Sequence, residues 1–368
     1  MAHLTHLPKY NIEDSNIALF GSDIEKRIRE HAGDKETAWE QAGIEPGLQI
    51  WRIEHFKVED WPKERYGSFY DGDSYIILHT YKKDPEAETL SYDLHFWLGE
   101  ETSQDEAGTA AYKTVELDDH LNGRPVQHRE VQSYESARFL SYFPAFHALH
   151  GGVSTGFHHV QAAPLDDTLK LYRIGVSGKS LLVREVTVAA ASLAQGDVFV
   201  LDQGAKVWQL NTRGAVGKEK FKAAEFVQGI VNARHGACES TVYDEGGQGV
   251  GVFLSALGAE TVPARQGQDA HSLKLKLFRF SDDAGVSEVS PVSRSALSSS
   301  DVFFLDALSA EHPAVYVWIG SEASGFERRK AFAQAQKFLQ EKGNARGGIA
   351  IMREGEESSE FAQFLDSA

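Results

Sequence analysis

Three short stretches decide the fold: Ile50-Trp51-Arg52-Ile53, Leu171-Tyr172-Arg173-Ile174 and Leu277-Phe278-Arg279-Phe280. Each is an apolar–aromatic–Arg–apolar run. From the Arg, 21, 24 and 22 residues lead to an Asp that opens a second run. These runs are Gly72-Asp73-Ser74-Tyr75-Ile76-Ile77-Leu78, Gly196-Asp197-Val198-Phe199-Val200-Leu201 and Ser300-Asp301-Val302-Phe303-Phe304-Leu305. Short runs of β-branched and aromatic residues predict strands buried on both faces. A further strand carries Trp97, Trp208 or Trp318, and 9, 11 and 9 residues later stand Glu106, Glu219 and Glu327. Each Glu opens a helical stretch. Ala107, Ala110, Ala111, Thr114, Leu117 and Leu121 follow a 3.6-residue period. So do Ala223, Val227, Ile230 and Val231, and Ala331, Ala335, Phe338 and Leu339. A unit of about 100 residues is a domain rather than a solenoid repeat. The expected fold class is α+β with a mixed sheet, built three times.

The chain has 368 residues, too many for one ordinary core. It carries 37 Lys plus Arg against 54 Asp plus Glu, a net charge of −17. That balance excludes generic nucleic-acid binding, which needs a basic field, and suits cations. One cysteine, Cys238, excludes an internal disulfide framework and multi-Cys metal sites, and reads as a small buried hydrophobe. The first residues lack the basic start and apolar run of a signal peptide, and no stretch approaches the roughly 18 apolar residues of a membrane span. A cytoplasmic protein without a transmembrane segment is expected. The boundaries read as an extension over 1–47, domains over 48–160, 168–258 and 275–366, and a polar linker over 259–274. A capping box, Ser22-Asp23-Ile24-Glu25, starts a charged helix in the extension.

Turn chemistry for one Asp and helix N-terminal complementarity for one Glu explain a single copy. Three copies of the pair point to a Ca²⁺ site, since a hard cation takes carboxylate and carbonyl oxygens. No EF-hand loop is present.

These residues also carry a resemblance. The series Gly47-Leu48-Gln49-Ile50-Trp51-Arg52-Ile53-Glu54, Tyr92-Asp93-Leu94-His95-Phe96-Trp97-Leu98-Gly99, Ser103-Gln104-Asp105-Glu106, Glu116-Leu117-Asp118-Asp119-His120-Leu121-Asn122-Gly123 and Val126-Gln127-His128-Arg129-Glu130-Val131-Gln132 resembles the first domain of the gelsolin/villin family. The likeness spans residues 38 to about 366 and is most like the three-domain, severin- and fragmin-like members. It implies three gelsolin-like domains, each a central mixed sheet flanked by a long and a short helix. It implies Ca²⁺-dependent severing of actin filaments, barbed-end capping and nucleation, by a protein that is no enzyme.

The site residues follow by motif. An internal Ca²⁺ site of the first domain uses the Gly72 carbonyl, Asp73, Glu106 and the Val153 carbonyl. An ion shared with actin uses Asp118 and the carbonyls of Gly123 and Pro125, where the family commonly has a small residue instead of Pro. The second domain uses the Gly196 carbonyl, Asp197 and Glu219, with Asp269 a candidate linker ligand. The third uses the Ser300 carbonyl, Asp301 and Glu327, with Ser in place of Gly. Tyr112 and Val115, off the core face of the first long helix, and Phe157 are the implied actin contacts of the first domain. Lys218, Lys220 and Lys222 begin the second long helix and suit the acidic side of a filament, or are an ordinary polar face. Lys170, Arg173, Lys179 and Arg184 surround the first hairpin of the second domain, where the family binds phosphoinositides; they also read as solvated strand edges. A monomer when free is expected.

Two other features carry no chemistry. His128, His147, His150, His158 and His159 lack metal-ligand spacing. Gly246-Gly247-Gln248-Gly249-Val250-Gly251 fits neither phosphate-binding pattern and reads as a loop.

Overall fold

The computed structural model describes residues 36–84, 86, 88–152, 169–264, 274–281, 285–310 and 313–367. The expected helix after Ser22, together with Val153, Phe157 and Asp269, lies outside the described residues. The first repeat runs β1 (Gly47–Glu54), β2 (Lys57–Asp60), β3 (Ser68–Tyr70), β4 (Ser74–Tyr81), β5 (Ser91–Leu98), α1 (Gln104–His120), β6 (Val126–Val131), α2 (Ala137–Ser141) and β7 (Ala145–Leu149). The second runs β8 (Lys170–Ser177), β9 (Ser180–Val186), β10 (Val198–Asp202), β11 (Lys206–Asn211), α3 (Gly217–Ala233), β12 (Glu239–Asp244) and α4 (Val250–Ala256). The third runs β13 (Lys276–Ser281), β14 (Gly285–Val289), β15 (Val302–Ala307), β16 (Ala314–Ile319), α5 (Gly325–Glu341), β17 (Gly348–Arg353) and α6 (Ser359–Ser367). This is the expected α+β architecture, with a long and a short helix per repeat.

Each long helix connects two parallel neighbours, β5 to β6, β11 to β12 and β16 to β17. Parallel strands require such a crossover. Alternation then sends successive strand residues to opposite faces. Ile76 and Leu78 of β4 meet Ala110 and Leu117 of α1 and Leu121 just beyond its end. Tyr75 and Ile77 turn the other way, onto Trp97, Phe139 and Phe143. The same division recurs. Phe304 packs with Ala331, Ala335 and Phe338 on the α5 side, while Phe303 and Trp318 pack with Phe361 on the α6 side. Truncating Phe304, which is fully buried, costs about 3–5 kcal/mol for a side chain of this size.

Two local outcomes differ from the sequence reading. Trp39, in the stretch read as extension, is fully buried and meets Trp51 edge-on at 5.1 Å. The glycine-rich run ends in a helix: Gly249 takes a left-handed conformation (φ 83°) and α4 begins at Val250.

The three repeats do not keep separate sheets. β17 pairs antiparallel with β6 through Ile349↔Arg129, Ala350↔His128 and Ile351↔Gln127, making one ten-stranded sheet from the first and third repeats. β9 pairs parallel with β7, so a seven-stranded sheet joins the second repeat to β7 and β3 of the first.

Candidate metal centres

One backbone construction recurs at the repeated Asp. The residue after the third long strand donates its N–H to the Asp carbonyl: Gly99 to Asp73 at 3.0 Å, Thr212 to Asp197 at 3.3 Å and Gly320 to Asp301 at 3.0 Å. In the first and third repeats a second bond continues it, Glu101 N–H to Asp71 O and Glu322 N–H to Ser299 O, both 2.8 Å. The loop that starts each long helix is thereby fixed to the turn bearing the Asp. Asp73, Asp197 and Asp301 are buried there.

The Glu side chains cap those helices. Glu327 accepts from the Ser324 N–H at 3.0 Å while its own N–H donates to Ser324 Oγ at 3.1 Å. Glu106 donates its N–H to Ser103 Oγ at 3.2 Å and its carboxylate accepts from that hydroxyl. Glu219 accepts from the Val216 N–H at 3.4 Å. Each Glu therefore has a place at a helix N-terminus with or without a metal.

The first site has a tight backbone wall. Gly72 N–H donates to Gly151 O at 2.8 Å, and Asp71 N–H to Leu149 O at 3.0 Å. A Cβ on Gly152 would lie 2.8 Å from Asp73 Oδ1, at a φ of +146° that side chains avoid. Only glycine lets the chain run this close to the carboxylate. The donor set is all oxygen, which suits Ca²⁺ rather than a softer metal.

Arginines face Asp73 and Asp301. Arg52 Nη1 lies 3.5 Å from Asp73 Oδ2, and Arg279 Nη2 lies 2.8 Å from Asp301 Oδ1. Both come from the repeated first run. The signal was visible as an Arg in every copy, yet the sequence reading gave Arg52 and Arg279 no role.

Asp118 near the end of α1 is only 4% exposed, and its Oδ1 has no hydrogen-bond partner among the described residues. Burial pushes its pKa up to about 7, opposed by the Arg353 guanidinium. An unpaired, buried carboxylate oxygen is the donor that a cation half-site requires. Gly123 closes the same turn by donating to Asp118 O at 2.8 Å.

A second cluster, His95, His128 and Glu130, lies within ligand range and is buried. Its rings stack at 4.3 Å and 12°, so their in-plane lone pairs run side by side rather than converge. His95 Nδ1 bonds Glu130 at 2.9 Å and Nε2 bonds the Tyr142 hydroxyl at 3.1 Å. This is a hydrogen-bond network, not a metal centre.

The basic residues fall into two places. Arg184 forms a two-pronged pair with Glu135 at 3.2 and 2.8 Å, across the first and second repeats. On α3, Lys222 pairs with Glu225 at 2.6 Å and Lys218 donates to the Gly178 carbonyl. Between them Phe221 is 63% exposed, a residue that sequence reasoning missed although an aromatic set among lysines on a helix start was legible. Tyr112 and Val115 are part-buried, and Val115 lines a cavity of about 200 Å³ with Ala107, Ala111, Phe332 and Ile351.

The same backbone junction is thus built three times, with a buried Asp on the strand side and a Glu at the start of the helix that follows, as expected of a gelsolin-repeat protein. The Gelsolin repeat pattern matches residues 56–140 and 285–362. The chain is 42% identical over 318 residues to Gelsolin-like protein 1 of Lumbricus terrestris, covering 85% of each chain. It is 38% identical to Gelsolin-like protein 2 of the same worm, over 92% of each. It is 37% identical to Severin of Echinococcus granulosus, over 92% of this chain and 93% of that one. The chain belongs to the gelsolin family.

Proposed function

We propose that this chain severs actin filaments, caps their barbed ends and nucleates new filaments under Ca²⁺ control. Family membership and near full-length likeness to a severin support this reading. The observation that carries it is the recurring junction that holds Asp73, Asp197 and Asp301 beside the starts of the Glu-bearing helices.

Bound Ca²⁺ supplies a divalent charge that oxygen ligands hold. Gly72, Asp73, Glu106 and Val153 would provide them in the first domain, Gly196, Asp197 and Glu219 in the second, and Ser300, Asp301 and Glu327 in the third. Asp118, Gly123 and Pro125 form the half-site completed by actin. The chain's own residues do the mechanical part. α3 docks on the filament side, with Phe221 as an aromatic anchor among Lys218, Lys220 and Lys222. α1, with Tyr112 and Val115, then enters an apolar cleft between subunits, and Phe157 is a further apolar contact implied by motif. Severing separates non-covalent contacts, so no bond is made or broken. Lys170, Arg173, Lys179 and Arg184 are the candidate phosphoinositide contacts, of which Arg184 is already committed to Glu135. The protein acts as a monomer when free, in the cytoplasm on the actin cytoskeleton; no described helix is long and apolar enough to cross a membrane.

Microscopy of labelled filaments tests this directly. Added protein with Ca²⁺ should shorten filaments within the field, and chelator should prevent it. Intact filaments that stop growing at barbed ends would mean capping without severing. Filaments that neither break nor stop growing would overturn the reading.

A further inference from the structure

The long helices of the first and third repeats lie across a shared seam. Ala107, Ala111 and Val115 form a stripe on α1 that lines the cavity there, opposite Ile351 of β17 and Phe332 and Gln336 of α5. Asp118 continues that stripe three residues beyond Val115. Arg353 continues the row of Ile349 and Ile351 on β17, because alternate strand residues share a face. The apolar seam therefore ends in a charged pair, Arg353 Nη2 to Asp118 Oδ2 at 3.8 Å.

The guanidinium does more than approach the carboxylate. A Cβ placed on Gly123 would lie 2.4 to 2.6 Å from Arg353 Nη2, Nη1 and Cζ. Arg353 thus covers both residues that the half-site would present, the Asp118 carboxylate and the Gly123 backbone. Its side chain is 55% exposed while that of Asp118 is 6% exposed. A pair with one solvated partner is weakly held. The acid is fixed and the cation is free to leave.

We propose that Arg353 is a tethered cation of the third repeat that competes with Ca²⁺ and a partner carboxylate for the Asp118 half-site. The inference rests on the reading of Asp118 as half of an actin-shared site. Seating the guanidinium and completing that site exclude each other, because the guanidinium sits against the same carboxylate and fills the same space over Gly123. Docking of the third repeat and occupation of the half-site are then coupled with negative sign, and the coupling is reciprocal.

The test is a double-mutant cycle on the full chain with Arg353→Ala, Asp118→Asn and both together. The readout is the Ca²⁺ midpoint for binding fluorescent monomeric actin. Arg353→Ala should lower the midpoint about fivefold or more, the low end of typical coupling between sites, and should not lower it in the Asp118→Asn background. A calorimetric Ca²⁺ titration of the free protein supplies a readout without actin. There Arg353→Ala should gain a millimolar site that the double variant lacks. Because Arg353 is half exposed, its truncation should leave near-ultraviolet dichroism unchanged.

A midpoint lowered equally in both backgrounds would make Arg353 a simple clasp between repeats and overturn the competition. A midpoint unmoved by Arg353→Ala, with Asp118→Asn still weakening the complex, would sink the competition and spare the half-site. A midpoint unmoved by either change would remove the half-site and the proposal with it. Wild-type protein that makes no Ca²⁺-dependent complex would remove the functional reading on which both rest.

Discussion

Replacing Arg184 with Gln should destabilise the protein by about 3 kcal/mol. The Glu135 side chain is fully buried and that of Arg184 is 13% exposed. Removing one partner of a buried pair costs about 3–5 kcal/mol, because the other charge is left behind. Here Glu135 keeps two donors, Trp97 Nε1 at 3.2 Å and the Ser133 N–H at 3.1 Å, which places the cost at the lower end. The guanidinium also sits 5.8 Å from the Phe146 ring, a contact worth about 0.5–1 kcal/mol where exposed. Urea denaturation followed by tryptophan fluorescence measures the change. With a slope near 3 kcal/mol per molar, the midpoint should fall by about 1 M. Lys179→Gln, on the exposed tip of the same hairpin, should shift it by less than about 0.5 kcal/mol. If the two variants behaved alike, Arg184 would be a solvated edge cation and the interface argument would be refuted. Lipid-binding loss in an Arg184 variant must be read against this instability.

Glu106→Gln should weaken one Ca²⁺ site by calorimetry and leave the melting temperature without Ca²⁺ almost unchanged, since an amide oxygen can still accept the Ser103 hydroxyl; undiminished affinity at every site would remove Glu106 from the ligand set. Small-angle scattering should show a larger radius of gyration with Ca²⁺ than with chelator, because the β6–β17 pairing is short and the ion pairs beside it, among them Arg138–Glu360 and Lys83–Glu356, are partly solvated; an unchanged radius counts against opening. Burial, reinforced by the charge of His128, pushes His95 down to about 4 from 6.5. The unfolded chain then binds more protons between those values, so stability should fall as pH drops from 6.5 to 4, by roughly 3 kcal/mol at 1.36 kcal/mol per unit; a His95→Gln variant with the same slope would assign the effect elsewhere. Phe221→Ser should weaken filament binding about tenfold or more, as loss of an interface anchor does, with monomer binding by the first repeat retained; co-sedimentation decides, and unaltered binding removes Phe221 from the contact.

What the sequence made legible was whatever repeats locally. The period of Ala331, Ala335, Phe338 and Leu339 is a property of one helix, and all four are buried against β15 and β16. The paired acids were visible because each recurs at nearly fixed spacing from a landmark, the Asp from the Arg of the first run and the Glu from the Trp. Single long-range partnerships left no such trace. Asp118 and Arg353, Glu135 and Arg184, or Ile349 and Arg129 are joined by tertiary docking, and each partner alone looks like an ordinary charged or apolar residue. Trp39 shows the intermediate case. A lone aromatic in a polar segment marked a core contact, but with no period around it the segment was assigned to the extension. Arg52 and Arg279 were legible in position and not in purpose, because their role depends on a carboxylate reached only when β1 and β4, or β13 and β15, are paired.

The join between β6 and β17 also sets a problem of timing during synthesis. β6 ends at residue 131 and β17 begins at residue 348, so the ribosome adds roughly 200 residues between them, about 10–40 s at ordinary elongation rates. For that interval the first repeat can be folded while one side of β6 still shows unpaired N–H and C=O groups, an open template for any passing strand. β6 meets the hazard with its own composition. Gln127, His128, Arg129 and Glu130 make it polar along most of its length, unlike the apolar β4 or β15. That polarity makes early pairing with a hydrophobic strand of another nascent chain unfavourable, yet leaves the backbone available to β17 when it arrives. Substituting valine at Gln127 and Arg129 should therefore lower soluble yield during synthesis more than it lowers the stability of protein already folded.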